Sequence, residues 1–273
     1  MSESRSVDAG AGPGMLERLF YCWRLCATGL SFVVFGAGGM LLGFIFFPML
    51  NVLVWNKQHR IRMARTTIRL AFRFFIGLMH GLGVLRYEIH GRERLARDGL
   101  LVLANHPSLI DTVFLMAMVD HADCILKADL QTNFFTRGPA TAAGYIFNNQ
   151  GMELIHDCIQ SLEQGSNLIV FPEGTRTGPD GLINLKRGAA NIAVRAKRNV
   201  TPVIIQCQPR TLGKGDRWWL IPASTVTFNI VVQEDIDIAR FIDDTVGEAV
   251  AARNLTAFLQ TYFTEEILRH ART

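Results

Sequence analysis

LLVLANHPSLID, residues 100–111, joins a run of apolar residues to a histidine, a proline and the first turn of a helix. Leu100–Ala104 shows no alternation of polar and apolar residues, which is typical of a strand buried on both faces. Pro107 suits a turn, and Ser108 is a favourable N-cap for the helix that follows. Functional side chains of open α/β folds gather at the carboxyl ends of strands. This stretch therefore predicts a buried strand that delivers His106 to such an edge.

The chain beyond Gly99 alternates short apolar runs with helical stretches. This alternation predicts an α/β domain whose sheet is covered by helices on both faces. The predicted strands are Leu100–Ala104, Cys124–Lys127, Tyr145–Phe147, Leu168–Phe171, Val203–Cys207 and Val226–Val232. The predicted helices lie at Ile110–Met118, Leu130–Thr136, Leu154–Gln164, Lys186–Lys197 and 247–271.

Composition narrows the class of protein. The 273 residues are 49% hydrophobic and 19% charged, with a mean hydropathy of +0.20. Such values exclude a disordered chain, and the frequent charges of the second half exclude a polytopic transporter. The five cysteines have neither disulfide nor metal-ligand spacing. They predict free thiols in a reducing compartment, with no metal site.

Charge is distributed unevenly along the chain. Residues 1–100 carry 13 Lys/Arg and 6 Asp/Glu, whereas the remainder carries 15 and 18, and no acidic residue lies between Glu17 and Glu88. A basic segment beside a long apolar one indicates contact with anionic membrane lipid. Nucleic acid is not a predicted partner, because zinc-ligand pairs and aromatic RNA-binding motifs are missing.

The apolar segment contains 32 uncharged residues between Arg24 and Lys57. About 20 apolar residues are enough to cross a bilayer. Three arrangements remain open on the sequence: a tilted single span, a re-entrant hairpin that turns at 36–39 or bends at Pro48, and a buried core helix. The positive charge that follows predicts that the body of the protein lies in the cytoplasm.

A basic amphipathic helix is predicted directly after this segment. Its apolar residues recur at steps of three and four, with cationic residues on the flanks. This pattern suits a helix on an anionic leaflet, and the alternative is an ordinary domain helix with a solvated face. The resulting division is a disordered tail (1–14), a membrane-associated helical segment (15–85) and a catalytic domain (86–273). The cationic residues of the helix are Lys57, Arg60, Arg62, Arg65, Arg69 and Arg73.

Asp111 lies one helical turn beyond His106 and can face back towards it. A carboxylate on one imidazole nitrogen fixes the tautomer and stabilises the imidazolium, so the other nitrogen can take a proton from a hydroxyl. A structural alternative exists, because Ser108-x-x-Asp111 also resembles a capping box in which the carboxylate satisfies backbone donors.

A second motif, FPEGTR at residues 171–176, also follows an apolar strand. Gly174 allows a close approach of the backbone to a ligand, and Arg176 offers a planar, charged fork suited to phosphate. Glu173 can accept hydrogen bonds from a polyol. The structural alternative is a tight turn with a surface ion pair.

The two motifs together, HxxxxD and FPEGTR, closely resemble those of the glycerolipid acyltransferases, which include bacterial 1-acyl-glycerol-3-phosphate acyltransferases. The resemblance extends from about Gly91 to Pro202. It implies a mixed sheet covered by helices and a membrane-bound enzyme of the bacterial inner membrane, facing the cytoplasm. The implied reaction moves a fatty acyl group from acyl-carrier protein or acyl-CoA to the free hydroxyl of a lysophospholipid, without a further cofactor.

The resemblance also implies roles for particular residues. His106 would be the general base and Asp111 would orient it. Lys127 would bind phosphate or the oxyanion, although a plain surface lysine is an equal alternative, and Lys186 and Gly188 fit a helix start that favours an anion. The block that would hold the acceptor head group is Glu173, Gly174, Thr175 and Arg176, and the block that would shape the acyl side is Thr201-Pro202-Val203.

One position departs from the family pattern. The second family block usually ends in a basic residue, but here GYIFNNQ, residues 144–150, ends in Gln150. A neutral amide binds phosphate more weakly than a charged group does. The sequence therefore leaves open another acceptor, such as a non-phosphate lipid or a secondary-metabolite lipid, and a non-catalytic lipid-binding relative. A hydrolase is disfavoured because there is no GxSxG motif.

Overall fold

The structure is a computed structural model that describes residues 14–132, 136–148, 152–242 and 247–270. Outside the described residues lie 1–13 of the predicted tail, 133–135 of the predicted helix Leu130–Thr136, Gln150, and residue 271 of the predicted helix 247–271.

A seven-stranded sheet in the order β1-β7-β6-β2-β5-β3-β4 forms the centre of the described chain. Only β6 and β7 pair antiparallel in it, so the sheet is mixed, as predicted. Central β2 places Val102 opposite Thr201 and Ile169 of its two neighbours. The strands are β1 Leu85–His90, β2 Leu101–Ala104, β3 Ala122–Leu126, β4 Ile146–Phe147, β5 Asn167–Val170, β6 Val200–Gln208 and β7 Val226–Val232.

Helices cover both faces of this sheet. Alternate residues of β2 point to opposite faces, so Leu101 and Leu103 join one core whereas Val102 and Ala104 join the other. Both cores are apolar, which confirms the α/β prediction. The long helices are α3 Lys57–Gly81 and α4 Ile110–Met118 on one face, and α7 Met152–Glu163, α8 Gly188–Ala196 and α9 Glu248–His270 on the other; the short ones are α5 Asp129–Thr132 and α6 Arg137–Ala142.

The sequence pattern did not predict strand β1 or the beginning of β6. β1 is the edge strand beside β7, and its residues alternate between buried and exposed, with Arg86 and Glu88 among the polar positions. A half-exposed edge strand lacks the continuous apolar run that identified the central strands. The other predicted strands overlap the observed ones, and the predicted helix Ile110–Met118 coincides with α4.

The apolar N-terminal segment is one long helix that packs along the domain. Helix α1 (Met15–Leu41) continues through a π-helical turn (Leu42–Phe46) into α2 (Phe47–Leu53). The predicted turn at 36–39 is wrong, because the glycines there remain helical. The irregular point is the π-helical turn next to Pro48, and the chain reverses only at 54–56.

This helix contacts the α/β domain near both of its ends and in its middle. Near the start, Trp23 Nε1 donates to the carbonyl of Leu82 at 3.0 Å. In the middle, Phe35 stacks against Phe72 of α3 at 6.1 Å. Near the end, Phe47 and Leu50 are buried in the core. One face of the helix is therefore packed, while the opposite face remains exposed.

By length and composition alone, Met15–Leu53 is long and apolar enough to cross a membrane. Only 11% of the residues in its most apolar 18-residue stretch are buried. Its exposed outer face supports the expected membrane association. The large apolar side chains on that face are Leu16, Leu19, Phe20, Leu30, Val33, Leu41, Ile45, Met49, Val52 and Leu53.

Helix α3, the predicted basic helix, belongs to the packed domain. The guanidinium of Arg65 is buried and bonds the carboxylate of Asp123 at 2.7 Å and the hydroxyl of Ser166 at 2.9 Å. Arg69 pairs with Asp120 near the start of β3. The domain-helix alternative therefore describes these two arginines better than contact with a lipid leaflet does.

Candidate active site

The predicted histidine lies at the carboxyl end of β2, in the middle of the sheet. The preceding residue, Asn105, holds this turn, because its side chain donates to the carbonyl of Ile205 at 2.8 Å and accepts from the amide of Ile205 at 2.7 Å. Asn105 is buried. No local sequence pattern indicates a role for Asn105, since its partner lies 100 residues away.

His106 and Asp111 form the predicted pair. Nδ1 of His106 lies 3.0 Å from Oδ2 of Asp111, and the same oxygen accepts from the amide of Ser108 at 2.6 Å. One oxygen of Asp111 therefore makes both the contact to the imidazole that the catalytic interpretation requires and the backbone hydrogen bond that the capping interpretation requires. His106 is 14% exposed while Asp111 is fully buried, and the ring of Phe171 stacks on the imidazole at 4.0 Å. The imidazole is thus oriented from two sides and partly open to solvent.

Burial dominates the electrostatics of this pair. It raises the pKa of Asp111 from an ordinary value of 3.8 to about 6, although the hydrogen bond and the charge of His106 pull that pKa down. The second carboxylate oxygen, Oδ1, is buried and has no hydrogen-bond partner among the described residues. An ionised Asp111 at neutral pH is therefore poorly stabilised by anything other than His106 and the amide of Ser108.

Glu173 connects the two motifs. Its Oε1 accepts from the amide of His106 at 2.9 Å and from the hydroxyl of Thr177 at 3.0 Å. The amide of Thr177 donates in return to the carbonyl of His106 at 2.8 Å. Burial raises the pKa of Glu173. One oxygen of this carboxylate thus holds the histidine turn, a role that the sequence did not predict.

Gly174 and Lys186 lie together beside that carboxylate. Gly174 has a φ of +67°, and a Cβ at this position would lie 2.9 Å from Nζ of Lys186. The amide of Lys186 donates to the carbonyl of Pro172 at 2.8 Å, which holds the lysine next to the motif. Lys186 is exposed. It therefore places a cation beside the FPEGTR motif.

Arg176 contacts a distant loop. Its Nη1 donates to the carbonyls of Leu212 and Gly213, each at 2.8 Å. The amide of Leu109 donates to the same Leu212 carbonyl at 3.1 Å. One nitrogen of the guanidinium that was predicted to bind phosphate therefore already donates to backbone carbonyls of the segment after β6. No signal in the sequence linked these residues.

The remaining predicted residues lie at different distances from His106. Lys127 is exposed and follows β3, two strands from β2, so it lies roughly 10 Å away along the same edge. Thr175 is partly exposed within its turn, and Gly188 begins α8. Thr201-Pro202-Val203 lies inside β6, where Thr201 and Val203 are fully buried. The structure does not describe Gln150, and no cluster of metal-ligating side chains occurs among the described residues.

Comparisons with known proteins agree with this fold. A model of the acyltransferase family matches residues 86–206. A 1-acyl-sn-glycerol-3-phosphate acyltransferase of Pseudomonas aeruginosa is 24% identical over 64% of this chain and 69% of its own length. The corresponding protein of Helicobacter pylori is 31% identical over 38% of this chain and 47% of its own length.

A solved structure resembles the fold as a whole. The crystal structure of the 1-acyl-sn-glycerophosphate acyltransferase PlsC from Thermotoga maritima superposes with a TM-score of 0.66 and 20% identity, covering 94% of this chain and 96% of the other. The chain therefore has the fold of that structure and resembles the acyltransferase family over residues 86–206. Among enzymes it is similar to the 1-acylglycerol-3-phosphate O-acyltransferases.

Proposed function

We propose that the protein transfers a fatty acyl group from a thioester of acyl-carrier protein or coenzyme A to the free hydroxyl of a lysophospholipid such as 1-acyl-glycerol-3-phosphate. The hydrogen bond between His106 and the buried Asp111 carries this proposal. It leaves the other imidazole nitrogen, Nε2, to act at the carboxyl edge of the sheet. Relatives named for this reaction support the acceptor class.

The proposed chemistry is direct transfer with His106 as general base. Nε2 takes the proton of the acceptor hydroxyl as that oxygen attacks the thioester carbonyl carbon, and Asp111 stabilises the imidazolium. The tetrahedral intermediate then collapses, the carbon–sulfur bond breaks, and the imidazolium returns its proton to the departing thiolate. Atoms and charge balance without an acyl-enzyme.

Cationic groups beside the motif are proposed to bind the acceptor phosphate. Lys186 presents an exposed ammonium next to Gly174. Arg176 contributes the donors that remain beyond its carbonyl partners. Lys127 lies farther along the same edge and is assigned to phosphate or to the oxyanion. Glu173 is proposed to act on the acceptor mainly through the position of His106, because its Oε1 is already occupied.

A different acceptor is the second candidate, and two observations favour it. Gln150 stands where the family usually has a basic residue. Arg176 also directs one nitrogen to backbone carbonyls rather than to open space. The first feature removes a positive charge from the site, and the second occupies one guanidinium nitrogen that could otherwise donate to a phosphate monoester. The same acyl transfer would then serve a lipid hydroxyl or amine without a phosphate monoester.

The proposed location is the surface of the inner membrane, with the catalytic domain on the cytoplasmic side. The apolar outer face of Met15–Leu53 would lie in the lipid, while its other face stays packed on the domain. A lipid acceptor could then reach His106 without leaving the bilayer surface. Membrane lipid is thus the proposed partner, together with the acyl carrier.

The test uses the purified full chain with acyl-CoA and acyl-carrier protein as donors and a panel of acceptors with and without a phosphate monoester. His106→Gln should reduce turnover by about a thousandfold on every acceptor, because the general base is lost. His156→Gln, at an exposed histidine of α7, is the matched control and should retain turnover. Circular dichroism checks that both variants fold.

The panel separates the two candidates. A preference for 1-acyl-glycerol-3-phosphate supports the first, and a preference for an acceptor without phosphate supports the second. Turnover of His106→Gln within a few-fold of the parent would refute both. A parent protein that binds lipid but acylates none of the panel would indicate the non-catalytic relative.

A further inference from the structure

The loop between β6 and β7 exposes a compact apolar group. Trp218, Trp219 and Leu220 are consecutive and are 44%, 45% and 63% exposed. Exposing three large apolar side chains side by side is unfavourable in water, and such patches usually mark an interaction surface. We name residues 213–224 the tryptophan loop.

Cationic residues accompany these aromatic side chains. The guanidinium of Arg217 lies over the ring of Trp219, 5.5 Å from its centroid, and Lys214 is exposed in the same loop. Tryptophan flanked by cationic side chains is the composition found at the boundary between lipid head groups and acyl chains. The chemistry of the tryptophan loop therefore fits a phospholipid surface with anionic lipids.

The tryptophan loop is continuous with the apolar N-terminal helix. The ring of Trp218 lies 5.7 Å from that of Phe32, and a Cβ at Gly29 would lie 3.7 Å from the Trp218 indole. Buried Arg24 donates to the carbonyls of Pro222 and Ala223. The exposed side chains of the loop and of the helix thus extend one apolar surface rather than form two separate ones.

The base of the same loop reaches the candidate active site. The carbonyls of Leu212 and Gly213 accept from Arg176, and that of Leu212 also accepts from the amide of Leu109. Leu109 lies within the HxxxxD motif, and Arg176 ends the FPEGTR motif. A change in the position of the loop would therefore move backbone groups that bond both motifs.

We propose that the tryptophan loop is a second membrane-contacting element, which inserts Trp219 and Leu220 into the head-group boundary of a phospholipid bilayer and holds Arg176 in place when it is inserted. The occupant of this surface is lipid, because the surface continues the exposed apolar face of the helix. The effect on Arg176 rests on the proposed acyl transfer, whereas insertion itself does not.

Insertion is tested with a fluorescent probe in the full chain. Cys22 and Cys26, the exposed cysteines among the described residues, are changed to Ser, and a nitrobenzoxadiazole label is placed on Leu220→Cys. On vesicles of phosphatidylethanolamine and phosphatidylglycerol, the emission should shift to the blue and be quenched by spin-labelled lipid. The matched control is a label on Glu163→Cys, an exposed position at the end of α7, which should show neither effect.

Two results would overturn the proposal. One is a label at position 220 that remains accessible to aqueous iodide on vesicle-bound protein. The other is protection of this label only when acyl-carrier protein or a second copy of the chain is added, which would assign the surface to a protein partner. Neither measurement requires turnover, so both are independent of the proposed function.

The link to the site is tested by activity on two forms of acceptor. In Trp219→Ser/Leu220→Ser, turnover of vesicle-borne acceptor relative to dispersed short-chain acceptor should fall about tenfold, because both side chains lose apolar contact with lipid. Leu182→Ser, at a leucine that is 73% exposed in a different loop, should leave this ratio unchanged. An equal ratio in the double variant and the parent would refute the link.

Discussion

At the scale of single residues, the burial of the Asp111 carboxylate lowers the stability of the folded protein at neutral pH. Its carboxylate is fully buried, and one of its oxygens has no partner among the described residues. Burial raises its pKa to about 6 despite the hydrogen bond from His106. A buried carboxylate with a raised pKa next to an imidazole is typical of a functional site, where stability is exchanged for reactivity.

Asp111→Asn should stabilise the protein and inactivate it. The raised pKa means that the folded state favours the protonated carboxyl, so the contribution of Asp111 to the unfolding free energy falls by about 3 kcal/mol as pH rises from 4 to above 6. The asparagine variant has no carboxyl to ionise at this position, so its unfolding free energy does not include this pH-dependent decrease. Its unfolding free energy should match that of the parent near pH 4 and exceed it near pH 7, as measured by denaturant titration.

The same titration predicts an acidic limit for activity. Turnover of the parent should fall as pH drops below about 6, because a protonated Asp111 no longer stabilises the imidazolium. A parent protein whose stability rises between pH 4 and 7 relative to Asp111→Asn would contradict the assigned cause.

At the scale of elements, helix α3 is attached to the sheet by a buried polar cluster. Arg65 bonds Asp123 on β3, the carbonyl of Ala143 at 2.9 Å and the hydroxyl of Ser166. Asp123 also accepts from Ser161 of α7 at 2.6 Å. This cluster connects helices from both faces of the sheet, far from His106, at the amino ends of the strands.

Asp123→Asn should destabilise the protein by about 3 kcal/mol, because it leaves the Arg65 guanidinium buried without a counter-charge. Thermal unfolding in detergent gives the comparison. The matched control is Ser161→Ala, which removes one hydrogen bond to the same carboxylate and should cost about 1 kcal/mol. Equal losses in the two variants would show that the charge pair is not the main contribution.

At the scale of the whole molecule, the N-terminal helix contacts the α/β domain near both of its ends. Arg24 and Phe47 both contact that domain and are separated by about 35 Å of helix. Among the described residues, nine helical residues, about 13 Å of helix, precede Arg24, and this length is too short for a hydrocarbon core of roughly 30 Å. The geometry favours a helix that lies along the membrane surface over one that crosses it.

Labelling should therefore find the start of the helix on the same side of the membrane as the α/β domain. With Cys22 and Cys26 replaced by Ser, Gly14→Cys should resist a membrane-impermeant maleimide added to intact cells and react after the membrane is opened. Glu163→Cys, at the end of α7 in the α/β domain, should behave identically. Reaction of Gly14→Cys alone in intact cells would establish a spanning helix.

Local sequence determined the features whose partners lie close along the chain. The pair of His106 and Asp111, separated by five residues, was predictable because one strand end and one helical turn set its geometry. The buried strands and α4 were predictable from apolar runs. The length of the apolar segment also indicated membrane association before any contact was known.

Tertiary structure alone decided the features that join distant segments. Hydrogen bonds from Arg176 to Leu212 and from Arg24 to Pro222 cross 36 and 198 residues, and no local pattern encodes such pairings. The course of the N-terminal helix was decided in the same way, because its glycines permit a turn while packing against α3 favours a continuous helix. Short-range sequence thus specified the pair of His106 and Asp111, and long-range packing specified how the N-terminal helix and the loop after β6 are placed around it.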